Sequence, residues 1–158
     1  MFDRRKLQGD DGLLSSSLLD QDKFYARCVN DLARARREVV IESPFLSFRR
    51  INYLLPELRR LIRRKVNVIV NTKPPEELDG DFAIQAQKCI ALLQELGVKV
   101  LVTGGHHRKL AIIDRQILYE GSLNILSQND SCEIMRRIES ATIAEQMISF
   151  IKLNKFLG

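Results

Sequence analysis

Apolar residues recur along this chain with two alternating periods, and the alternation predicts its elements. Tyr25, Cys28, Val29 and Leu32 keep helical spacing behind Asp20 or Asp22, either of which caps a helix running to about residue 36. The short β-branched run 38–42 then reads as a strand that Ser43-Pro44 ends. Leu55, Leu58 and Ile62 mark the inner side of a second helix over about 52–64, with Pro56 placed in its first turn, and 66–71 reads as the second strand. A break spans Thr72-Lys73-Pro74-Pro75 to Gly80. Beyond it Phe82, Ala86, Cys89, Ile90, Leu93 and Leu96 form one helical stripe that Gly97 stops, followed by a strand over 98–102.

The period then shifts to strands. Runs at 110–113 and about 116–120 make a hairpin, a strand follows over 132–138 after a loop at 126–131, and Ile143, Met147, Ile148 and Ile151 give a last helix over about 142–154. Strands alternating with helices and then with each other predict an α/β fold, a mixed and mostly parallel sheet flanked by helices. Residues 1–18, with Gly9-Asp10-Asp11-Gly12 and Ser15-Ser16-Ser17, read as a flexible arm, and 19–158 as one domain. Leu13, Leu14, Leu18 and Leu19 are able to dock part of that arm. No internal repeat is visible.

The hairpin carries the chemistry. Between His107 and Asn124 the chain reads H-R-K-L-A-I-I-D-R-Q-I-L-Y-E-G-S-L-N. His107 and Lys109 are two apart and leave one face of a strand; Ser122 and Asn124 do the same after Gly121. Adjacent strands therefore aim an imidazole, an ammonium and two hydrogen-bonding groups at one place. A lone histidine on an apolar strand is usually structural, but four such groups in one register make a phosphoryl-transfer site the better reading. His106, on the opposite face, reads as a solvent-facing or supporting histidine.

This spacing resembles the signature of the phospholipase D superfamily, H-x-K-x4-D-x6-G-S-x-N, and meets every position of it. The resemblance implies the phospholipase D-like fold and a metal-independent phosphodiesterase that needs no cofactor. It implies that His107 attacks phosphorus to form a phosphohistidine, with Lys109 and Asn124 on the non-bridging oxygens. Ser122 would support the phosphate or the pocket wall, and Asp114 would serve as a structural neighbour of the catalytic set. Glu133 resembles the acidic residue that orients the histidine ring in small members, and reads equally as an exposed carboxylate paired with Arg136 or Arg137. One imidazole cannot attack and protonate a leaving oxygen in the same step. Single-motif members pair, so the expectation is a homodimer that supplies His107 twice.

Charge narrows the substrate. A formal +5, with pairs at Arg49-Arg50, Arg59-Arg60, Arg63-Arg64 and Arg136-Arg137, favours a polyanion. Arg59, Arg60, Arg63 and Arg64 share one helix face and are the candidate nucleic-acid contacts, or a merely solvated face. With no Trp and three Tyr, sequence-specific reading is not indicated. Phe45 and Phe48 border the pocket or anchor their loop. The leading expectation is a nonspecific DNA or RNA endonuclease. The alternatives are a nucleic-acid-binding or dimerisation module of a larger helicase, restriction or repair assembly, and a phospholipase or phosphatidyl transferase. Cys28, Cys89 and Cys132 suggest neither disulfides nor zinc, and with no apolar span or signal-like start they favour a cytoplasmic protein away from membranes.

Overall fold

The computed structural model describes residues 15–127 and 131–157. Its elements are β1 (Ser16–Asp20), α1 (Gln21–Arg34), β2 (Glu38–Glu42), α2 (Phe48–Arg63), β3 (Asn67–Thr72), α3 (Gly80–Leu96), β4 (Lys99–Val102), β5 (Leu110–Ile113), β6 (Ile117–Gly121), β7 (Ile134–Glu139) and α4 (Ala141–Ile151). One sheet holds all seven strands in the order β1-β7-β6-β5-β2-β3-β4.

The pairing is mixed. β2, β3 and β4 are parallel, whereas β5, β6, β7 and β1 join antiparallel. Antiparallel pairs outnumber parallel ones, which corrects the mostly parallel expectation. Helical crossovers impose parallel pairing only as far as β4; beyond it the chain crosses back to pair β5 antiparallel with β2, turns tightly into β6, and joins β7 through the longer connection 122–133.

Alternation along the strands divides the core into two layers. Val39, Ile41, Ala111, Ile113 and Tyr119 pack with Phe24, Leu32, Leu54, Leu58 and Leu93 of α1, α2 and α3. Val40, Leu110, Ile112 and Leu118 face the other way, onto Ala144, Ile148 and Ile151 of α4. β2 is buried along its whole length because both faces are covered.

Two elements differ from the sequence reading for local reasons. Ser47 caps α2 by accepting from the Arg50 N–H, so the helix starts four residues before 52 and Pro56 falls in its interior. Pro56 and Asn52 are both exposed, so water reaches the Asn52 carbonyl that Pro56 leaves without an N–H. Residues 16–18, assigned to the flexible arm, belong to β1, which pairs with β7 from Ser16 opposite Ile138 to Asp20 opposite Ile134. Strand and helix are continuous there, since Asp20 ends β1 and caps α1 through the Lys23 N–H at 2.9 Å. Residues 1–14, including Leu13 and Leu14, and residues 128–130 of the expected loop lie outside the described residues.

Candidate active site

Register brings the motif to one end of the sheet. Leu110 stands opposite both Glu42 and Glu120. His107 and Lys109, just before β5, therefore emerge beside Ser122 and Asn124, just after β6, at the end where β2 and β3 finish. This is the edge at which open α/β sheets place their ligands.

The motif is held from several sides. Gly121 sits where a Cβ would collide with the Ile134 carbonyl, so only glycine lets β6 and β7 close at that point. Ser122 donates its N–H to the Ile134 carbonyl at 3.0 Å and accepts from the Ile134 N–H through Oγ at 3.1 Å. The segment beyond is pinned to the loop after β2: the Leu126 N–H donates to Ser43 Oγ at 3.1 Å, and the Ser47 N–H to the Leu126 carbonyl at 2.9 Å. Tyr25 adds a hydroxyl bond to the Ile125 carbonyl at 2.7 Å. Asn124 is thereby fixed at 9% exposure, and its Oδ1 is buried with no hydrogen-bond partner among the described residues.

His107 is exposed, and its Nε2 lies 3.5 Å from Lys73 Nζ. Lys109 donates from Nζ to the His107 carbonyl at 2.9 Å. Lys73 follows β3, is held by its N–H to the Pro44 carbonyl, and carries its ammonium 5.5 Å from the centre of the Phe45 ring. Glu77 Oε2 stands 3.9 Å from that ammonium. Lys73 escaped the sequence reading because it belongs to no motif. Its place at the carboxyl end of a parallel strand was the available signal.

Glu133 precedes β7. Its carboxylate accepts from Ser131 Oγ at 2.6 Å. Hydrogen bonds from the Ser122 and Ser131 hydroxyls hold it below the usual carboxylate range against its desolvation, and the Lys109 charge adds in the same sense. It thus joins Ser122 and Lys109, while among the described residues no hydrogen bond or ion pair links it to the His107 ring as expected.

His106 is 5% exposed, which removes the solvent-facing alternative. Its Nδ1 is 3.8 Å from Glu42 Oε2. Burial holds its pKa below the ordinary value, opposed by Glu42 and the Asn71 backbone and assisted by Arg108 and His107. Glu42 is fully buried and takes two bonds from Arg108, at 2.8 and 3.1 Å, and one from Asn71 Nδ2 at 2.6 Å. Thr103 Oγ1 completes the network on Asn71 Oδ1 at 2.8 Å. His106 and Arg108 flank His107, so this network anchors the backbone that presents it. A carboxylate directly after the apolar run Val39-Val40-Ile41 was its sequence signal.

Asp114 lies at the opposite end of β5, roughly 17 Å of strand away from Lys109. Its carboxylate accepts from the N–H groups of Arg36, Arg37 and Glu38 at 2.8–3.0 Å, and it opens the β5–β6 turn with φ 52°. These bonds tie the start of β2 to the β5–β6 turn, at the sheet end away from His107.

The arginine cluster of α2 is also remote. Arg59 to Arg64 sit roughly 18–25 Å of helix beyond Ser47, at the end of the sheet away from His107. Arg64 bonds the Leu32 and Ala35 carbonyls at 3.0 Å each, and Arg60 pairs with Glu57 at 2.5 Å. Arg137 is committed to buried Asp31. The cations beside the motif are instead Lys73, Arg108 and Lys109. Phe45 borders this region, and Phe48 begins α2 with its N–H on Gln85 Oε1. Among the described residues no group of three or more His, Cys, Asp or Glu side chains is arranged to hold a metal, and no helix is long and apolar enough to cross a membrane.

Comparison with known proteins agrees with this fold. A family model described as "Cardiolipin synthase, PLD-like domain" matches residues 28–153. No curated protein matches the sequence at a significant level. The fold is similar to that of Nuc from Salmonella typhimurium, a phospholipase D family member, with TM-score 0.65 and 16% identity over 85% of this chain and 91% of that one. NucT from Helicobacter pylori gives TM-score 0.69 and 18% identity over 87% and 92%. Phosphatidylserine synthase from Haemophilus influenzae gives TM-score 0.68 and 12% identity over 89% of this chain and 38% of that one.

Proposed function

The chain belongs to the PLD-like domain family described under cardiolipin synthase, and on that premise we propose that it is a metal-independent phosphodiesterase acting as a nonspecific DNA or RNA endonuclease. The observation that carries this reading is the meeting of His107, Lys109, Ser122 and Asn124 at one sheet end, with Lys73 against the His107 ring.

In the first step His107 Nε2 attacks phosphorus, the P–N bond forms, and the bond to the leaving oxygen breaks. Lys73, Lys109 and the Asn124 amide meet the charge on the non-bridging oxygens. The leaving oxygen needs a proton from the far side. His106, buried over Glu42, is not placed to give it, so the donor is His107 of the partner subunit in a homodimer. In the second step water attacks phosphorus, the P–N bond breaks, and the acid takes up the water proton. A groove running from Lys109 and Gly121 past Leu18, Ile134, Met147 and Phe150 supports the dimer. Leu18, Ile134 and Phe150 leave large apolar side chains exposed beside the motif.

The same apolar face favours a second reading, a phospholipid diesterase that seats this groove on a lipid surface. The net +5 and the cations around His107 fit both substrates; a polyanion without acyl chains leaves the apolar face to the second subunit. The test is cleavage of single- and double-stranded DNA and RNA in excess EDTA, by the wild type and His107→Asn, with light scattering on the same sample. EDTA-resistant cleavage lost in the variant, by a dimer, supports the proposal. A monomer sinks the dimer, and headgroup release without nucleic-acid cleavage moves the activity to lipids.

A further inference from the structure

A second groove adjoins the motif on the side away from the apolar face. It encloses about 270 Å3 and is lined by Phe45, Ser47, Leu78, Phe82, Gln85 and Asn124. Asn124 belongs to both the groove and the motif, and Lys73 links them again, 5.5 Å from the Phe45 ring and 3.5 Å from His107 Nε2. Two features of this groove have no use in the folded chain alone. Phe82, in the first turn of α3, is 68% exposed, and the buried Asn124 Oδ1 has no hydrogen-bond partner among the described residues.

We propose that this groove holds the nucleobase of the nucleotide whose phosphate is attacked by His107, an inference that rests on the phosphodiesterase reading above. A base offers a flat face to Phe82 and Phe45 and an edge with N–H groups to Asn124 Oδ1. Gln85, whose Oε1 already accepts from the Phe48 N–H, retains its amide donors for the same edge. An acyl chain would satisfy the rings but leave the Asn124 oxygen buried without a bond, at a cost that a base avoids. The ammoniums of Lys73 and Lys109 then meet the phosphate to which that base is attached. A base seated in this way is unpaired, so the substrate class is single-stranded nucleic acid, read by stacking rather than by sequence.

Three esters sharing one leaving group test the assignment: thymidine 5′-(4-nitrophenyl phosphate), methyl 4-nitrophenyl phosphate and the 4-nitrophenyl ester of dihexanoyl phosphatidic acid. The wild type is expected to favour the thymidine ester over the methyl ester by about tenfold or more in kcat/KM, the value of one stacked base. Phe82→Ala collapses that ratio and Phe82→Tyr keeps it. A ratio near one in the wild type, or one that Phe82→Ala leaves intact, overturns the proposal. So does a Phe82-dependent preference for the dihexanoyl ester, which assigns the groove to acyl chains. If no ester is hydrolysed, the phosphodiesterase reading fails separately, and the groove is read by binding. Quenching of 2-aminopurine in a single-stranded oligonucleotide by the wild type but not by Phe82→Ala upholds it; equal quenching, or none, overturns it.

Discussion

Lys73 and His107 come from loops 34 residues apart, yet the Lys73 ammonium stands 3.5 Å from His107 Nε2. An ammonium has only donors, so a hydrogen bond here is accepted by the Nε2 lone pair, which puts a cation beside the nitrogen proposed to attack phosphorus. Removing that ammonium leaves one fewer cation for the charge that gathers on the phosphoryl oxygens. Lys73→Ala should lower kcat/KM for a diester by about 10- to 100-fold, the worth of one charge-assisted hydrogen bond, with Lys73→Arg restoring part of it. Steady-state kinetics check this, and an unchanged kcat/KM would remove Lys73 from the site.

A buried ion pair at the other end of the sheet governs stability. Arg137 Nε donates to Asp31 Oδ2 at 2.8 Å and Nη2 to Oδ1 at 3.2 Å, and the Tyr119 hydroxyl donates to the same carboxylate. Burial works against the Arg137 charge, but these bonds push its pKa up, while desolvation pushes that of Tyr119 up. Asp31→Ala leaves the buried guanidinium with only the exposed Glu139 carboxylate, 3.2 Å from Nη1, and should destabilise the protein by about 2–4 kcal/mol. Urea unfolding measures this; a loss below about 1 kcal/mol would mean that solvent reaches Arg137 freely.

His106 sets an acid limit on stability. Its native pKa is lowered, by burial first, so between that value and the ordinary one near 6.5 the unfolded chain binds more protons than the native one. Stability is therefore retained above about pH 6.5 and is lost as pH falls through this window. Glu42 opposes the shift, and Arg108 and His107 reinforce it. Urea midpoints from pH 7.5 down to about 5 should fall more steeply for the wild type than for His106→Asn. Parallel profiles would contradict the assignment.

Asp114 and His107 should separate cleanly. Asp114→Ala frees three backbone N–H groups and puts alanine at φ 52°, so it should cost about 2–4 kcal/mol of stability while the folded fraction keeps its kcat. His107→Asn, at an exposed position, should do the reverse. Thermal melts and turnover on both variants check this, and a kcat loss in folded Asp114→Ala would return that residue to the catalytic set.

The motif and the alternation of elements were legible because each rests on local spacing. Strand register brings His107 and Lys109, just before β5, to the sheet end where Ser122 and Asn124 follow β6, although all four lie outside the strands on which alternation places them. What escaped depends on contacts distant in sequence. Nothing near Ser16 announces a strand, because β1 exists through its pairing with β7. Nothing around Lys73 announces a site residue until Pro44 and His107 meet it. The Arg59 to Arg64 pattern was legible as charge but not as location, since only the direction of α2 reveals that it runs away from His107.

The central claim is that His107 forms a covalent bond to phosphorus. A thymidine 5′-phosphodiester labelled at phosphorus, quenched in alkali during turnover and digested for mass spectrometry, tests it most directly. The account predicts a base-stable, acid-labile nucleotidyl adduct on the peptide that carries His107, absent from His107→Asn along with turnover. Diester hydrolysis by the wild type with no adduct on that peptide, and undiminished in His107→Asn, would contradict it.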